Sequence, residues 1–199
     1  GTVVPIIGGG RVTGKIGAFD VGLLNIQTDA DVVSTAKMTN FTVARVKRDM
    51  LRRSSIGAIF TNRSVSLVGD GASRSYGADA NFSLYENVSV VAYLARTETP
   101  DHENKNTSYQ GRFVYGGDRY GLQAEHLVVE DNFIPEVGFL RRDNFRRTHA
   151  TGRFSPRPRS INAIRQIHVE GAFDYIETAD TRIMETRQSQ LGFSIEFEN

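Results

Sequence analysis

The sequence predicts an all-β fold, an antiparallel transmembrane β-barrel to which these residues contribute about ten strands. Three observations lead there. Apolar residues recur with a period of two, not 3.6. Turn signals separate stretches of about ten residues, and short turns alternate with longer polar loops. No run approaches the roughly 18 apolar residues a membrane-spanning helix needs, whereas a barrel strand needs only about ten with one apolar face.

Taken in chain order, Gly1 to Gly10 lack the layout of a signal peptide, and Gly8-Gly9-Gly10 makes residues 1–10 a flexible leading segment. Strand candidates follow at 18–27, 40–50 and 54–64, bounded by turn residues. Ser75 to Leu84 is the cleanest alternation: Tyr76, Ala78, Ala80, Phe82 and Leu84 on one face, Ser75, Gly77, Asp79, Asn81 and Ser83 on the other. Tyr85-Glu86-Asn87 reads as a tight connection to a strand at 88–97. Thr97 to Thr107 is polar, holds Pro100, and reads as a longer loop. Gly116-Gly117-Asp118 reads as a hairpin turn between strands at 107–116 and 119–129.

A further strand is expected at 136–147. In the next, Ile167, Val169, Gly171, Phe173 and Tyr175 alternate with His168, Glu170, Ala172 and Asp174. In the last, Leu191, Phe193, Ile195 and Phe197 alternate with Gln190, Gly192, Ser194, Glu196 and Glu198. These two run long, about Ser160 to Tyr175 and Arg182 to Phe197.

Strand length and loop asymmetry choose the kind of barrel. A ten-residue strand rises about 33 Å, and a tilt of about 40° leaves roughly 25 Å of height, which matches the apolar band of an outer-membrane barrel. Short turns on one side and long loops on the other are the pattern of that class. Residues 1–199 are therefore expected as one barrel domain or a segment of a larger barrel. The absence of tryptophan counts against an aromatic girdle, but seven tyrosines and twelve phenylalanines are available for it.

Face assignment gives the candidate residues. Tyr76, Phe82, Leu84, Leu191, Phe193, Ile195 and Phe197 are expected to face lipid. Asp79, Glu125, Glu136, Arg141, Arg142, Arg146 and Arg147 are expected in a wet lumen, paired with acids or at the rim, because a lipid-facing arginine costs about 2–4 kcal/mol at the midplane. These charges read as a salt-bridge ladder, with an anion-selective lining as the alternative.

Four strings add a resemblance: Thr39 to Asp49 (TNFTVARVKRD), Ser54 to Arg63 (SSIGAIFTNR), Tyr76 to Phe82 (YGADANF) and Pro135 to Arg142 (PEVGFLRR). In this order they resemble a family of uncharacterised bacterial outer-membrane barrels that follow a family-nine-like carbohydrate-binding module. The resemblance covers about residues 11–150 well. It implies a signal peptide and a sugar-binding module ahead of the barrel, and hence a possible carbohydrate partner beside outer-membrane lipid. It brings no catalytic residues. The ending Phe197-Glu198-Asn199, without the terminal aromatic common in such barrels, is expected to precede a further strand.

The chemistry looked for elsewhere points away from a catalyst. With no cysteine there is no disulfide or thiolate site. His102, His126, His149 and His168 lack the spacing of metal ligands, and no serine has a nucleophile-elbow context. No catalytic residue, metal or cofactor is expected. A net charge of +1 shows no basic excess for nucleic acid, so no nucleic-acid partner is expected. The favoured role is a non-enzymatic pore, receptor or anchor. The alternatives are an outer-membrane enzyme with a rim site in Phe133 to Arg147, or a soluble β-barrel that binds a small ligand.

Overall fold

The computed structural model describes residues 3–32, 35–161 and 163–198. They form eleven antiparallel strands in one sheet, without a helix. The strands are β1 (Ile6–Ile16), β2 (Phe19–Thr28), β3 (Thr39–Met50), β4 (Ser54–Arg63), β5 (Ser73–Leu84), β6 (Val88–Glu98), β7 (Thr107–Gly116), β8 (Tyr120–Val129), β9 (Phe145–Phe154), β10 (Ile164–Thr178) and β11 (Met184–Phe197). Spatial order equals sequence order, so every connection is a hairpin. β1 and β11 are not paired with each other, and the sheet is open.

Three expectations are corrected. There are eleven strands, because β1 was not foreseen: Ile6 to Gly10, expected as a flexible leader, belong to it. The glycines leave that half of the strand without side chains to show alternation. The strand expected at 136–147 is instead the end of a long connection, and β9 begins only at Phe145. Phe139 to Asn144 carries apolar and charged residues in blocks, which fit neither face of a strand. The sheet is not closed into a barrel.

Connections differ at the two ends. At one end they are short, at 17–18, 51–53, 85–87 and 117–119, with 155–163 the exception. At the other end they span 29–38, 64–72, 99–106, 130–144 and 179–183. Gly17, at φ 60°, supplies the left-handed residue that the tightest hairpin needs.

Register tilts the strands progressively. From Ile16, the last residue of β1 before its turn, the cross-strand partners run Phe19, Arg48, Ile56, Ala80, Ala92, Gly111, His126, Thr148 and Tyr175. The row begins at the turn end of β1 and reaches the loop half of β10. Such a stagger is what a tilted, coiled sheet requires.

The sheet lacks a second layer. Its accessible surface is 13092 Å². A compact chain of 22.1 kDa would expose about 9,300 Å². Fully covered side chains gather at the loop end: Val128, Val129 and Phe133 with Thr97, Thr99, Asn106 and Ser108. The 130–144 connection folds over the sheet there. Asn132 and Ile134 hold it through Thr97, whose hydroxyl donates to the Asn132 carbonyl and accepts from the Ile134 amide, both at 3.2 Å.

Candidate functional site

Strict alternation sorts the sheet into two chemically distinct faces. Tyr76, Ala78, Ala80, Phe82 and Leu84 of β5 lie level with Leu94, Ala92, Val90 and Val88 of β6 and with Ala58 and Ile56 of β4. The same face continues through Phe113 and Leu122 to Phe173, Leu191, Phe193 and Ile195. All seven apolar candidates share it. Leu191 is 82% exposed and Phe193 66%, and Leu122, within a central strand, is 49% exposed.

Small and large residues divide this face. Ala58, Ala78, Ala80 and Ala92 line a shallow hollow of about 640 Å³, bordered by Phe19, Ile56 and Leu94. Toward the turn end come aromatic side chains, with Tyr120 and Phe154 stacked at 5.2 Å and Arg119 over both rings.

The opposite face carries ion pairs. Arg45 of β3 makes two contacts with Asp79 of β5, one of them between Nη2 and Oδ1 at 2.9 Å. Arg112 of β7 lies 3.8 Å from Glu125 of β8, whose side chain is only 14% exposed. Arg147 of β9 donates to Asp174 of β10 through Nε at 3.0 Å, and His149 Nδ1 stands 3.6 Å from the same carboxylate. Near the β1 turn, Lys15 bridges Asp49 at 3.0 Å and Asp20 at 3.9 Å. The pairs step across the sheet as a ladder. Each joins strands that the register brings together, which a linear reading could not pair.

The remaining polar candidates lie elsewhere. Glu136, in the 130–144 connection, is a buried anchor with 1% of its side chain exposed. It accepts from the Ser66 hydroxyl at 2.5 Å and the Leu67 amide at 3.0 Å, with Arg63 Nε 3.5 Å away. Arg141 is exposed in the same connection, and Arg142 donates to Glu185. Arg146 falls on the apolar face, level with Val128 and opposite Glu177 at the loop end. Neighbours on a strand point to opposite faces, so Arg146 and Arg147 cannot both face one side. Arg45 and Arg112 were not singled out from the sequence, although the alternation that exposed Asp79 marks them equally.

Among the described residues no three His, Asp or Glu side chains are grouped as metal ligands. The loop end thus presents a covered, hydrogen-bonded constriction, the polar face a charged ladder, and the opposite face an open apolar band. The chain matches no protein-family model, no curated protein and no solved structure.

Proposed function

We propose that this chain forms the wall of a bacterial outer-membrane β-barrel, with its apolar face toward lipid and its ion-pair ladder lining an aqueous lumen that the 130–144 connection narrows. One observation carries this reading: apolar side chains stand open while charged ones are covered. That sidedness is the reverse of a soluble sheet, where a contiguous exposed apolar area beyond a few hundred Å² marks an interface. A one-layer sheet with no partner layer would leave the band in water, and lipid removes that cost.

Closure follows from strand direction. β1 and β11 are both odd-numbered in an all-antiparallel order and so run parallel. An antiparallel closure therefore takes an odd number of further strands, which gives the even total of bacterial outer-membrane barrels. The wall serves as a pore, a receptor or an anchor for a surface or periplasmic module. Its link to carbohydrate binding or uptake rests on the resemblance of the four strings quoted above.

Refolding into detergent tests the wall, and planar bilayers test the pore. Heat-modifiable migration on a gel and discrete conductance steps are expected. Protein that is monodisperse in plain buffer without detergent or lipid overturns the membrane reading. Folded protein that inserts without conducting removes the pore and leaves a receptor or anchor.

A further inference from the structure

At the turn end, 155–163 is the one long connection, and it is built as a rigid arm. Pro156 and Pro158 fix φ on either side of Arg157. Ser155 at its base is buried, with its hydroxyl 2.9 Å from Arg153 Nη1 and 3.1 Å from His168 Nδ1. Arg157 grips Asp118 of the β7–β8 turn through two contacts of 2.6 and 2.8 Å. The arm and that turn enclose a cleft of about 1010 Å³ lined by Arg119, Arg157, Arg159 and Arg165, with Asp118 and Glu198 as its acids.

The four guanidiniums are not equivalent. Arg157 is held by Asp118, and Arg165 donates to Glu196 at 2.9 Å. Arg119 and Arg159 have no carboxylate partner among the described residues. Arg119 is fixed instead by the rings of Tyr120 and Phe154, 5.6 and 5.3 Å below its guanidinium. Stacking holds the charge in place and uses none of its five N–H donors. Two cations with free donors, beside two that are already positioned, form a receptor for a tetrahedral oxyanion.

We propose that this cleft binds a phosphate group through Arg119 and Arg159. The phosphate is the headgroup of an anionic phospholipid or a free phosphate ion. Tyr120 and Phe154 belong to the apolar face, so a headgroup in the cleft would have its acyl chains running along the band. The lipid source rests on the membrane reading above, whereas the oxyanion chemistry does not.

The test uses protein refolded in a non-ionic detergent, with bound phosphatidylglycerol read by native mass spectrometry against a neutral diacylglycerol. Arg119→Gln/Arg159→Gln is expected to lower phosphatidylglycerol retention about tenfold, as losing one charge-assisted contact does. Arg52→Gln/Arg53→Gln, at another turn of the same end, should leave it unchanged. Heat-modifiable migration checks that both variants fold. Inorganic phosphate that binds alone and displaces the lipid identifies free phosphate as the source. Lipid retention that phosphate cannot displace identifies the headgroup. Equal retention by wild type and the Arg119/Arg159 variant, or no preference over the neutral lipid, overturns the site. Protein that is soluble without detergent but binds inorganic phosphate upholds the cleft while the membrane wall fails.

Discussion

Arg45 reaches Asp79 across an intervening strand, because the residue between them is Gly57. Arg45 is on β3 and Asp79 on β5, with Gly57 of β4 directly opposite Asp79. A Cβ at Gly57 would stand 2.7 Å from Arg45 Nη2 and 3.1 Å from Asp79 Oδ2. The missing side chain makes room for the ion pair. Gly57→Ala is expected to push the flexible guanidinium off its carboxylate and cost about 1 kcal/mol, the scale of a half-exposed pair. Adding Arg45→Met to Gly57→Ala should then cost little more, as urea unfolding in detergent would show. An undiminished cost of Arg45→Met would mean that the pair survives.

A charge on the apolar face should be penalised by its depth. Ala78 lies at the middle of β5 on that face, and Ala78→Arg is expected to destabilise the lipid-inserted protein by about 2–4 kcal/mol. Gln110→Arg, on the polar face of β7, should change stability by less than about 0.5 kcal/mol. Equal effects in a lipid-vesicle unfolding titration would contradict the sidedness.

Glu136 pins the constriction. Glu136→Ala leaves the Ser66 hydroxyl and the Leu67 amide without their acceptor, at a cost of about 1–3 kcal/mol. The 130–144 connection should become sensitive to limited proteolysis, and single-channel conductance should rise as it leaves the lumen. Unchanged conductance with a cleaved connection would show that it does not narrow the path.

At the loop end, Asp180 in the 179–183 connection accepts from the Thr181 amide at 2.7 Å, which is the main reason its carboxyl is held below the usual range. The folded-state pKa is the lower one, so the stabilisation is complete above the ordinary aspartate value of about 3.9 and is lost as pH falls through the depressed one. The Thr181 amide resonance should titrate with a midpoint below that ordinary value, and Asp180→Asn should abolish the step.

What the sequence made legible follows from pattern strength. β5 alternates so cleanly that its two faces, and the turn at 85–87, are readable from one line of residues. β11 and most of β10 read the same way. β9 does not, because Arg146, Thr148, Ala150 and Gly152 give its apolar face little apolar character. The 130–144 connection was hidden for another reason: Thr97 holds it by hydrogen bonds to the Asn132 and Ile134 main chain, which any sequence could supply. The ladder was half legible. Alternation marked Asp79 and Arg147 as sharing the polar face, but which cation meets which acid depends on interstrand register.

The central claim is that the Tyr76 face meets lipid and the Ser75 face meets water. The chain has no cysteine, so single cysteines can be placed at each position from 75 to 84 and spin-labelled without a background signal. In bilayer-inserted protein, accessibility to oxygen should peak at 76, 78, 80, 82 and 84, and accessibility to a water-soluble nickel chelate at the positions between. Uniform access to the chelate along β5, or labels at Tyr76, Ala78 and Ala80 shielded from both reagents, would contradict it.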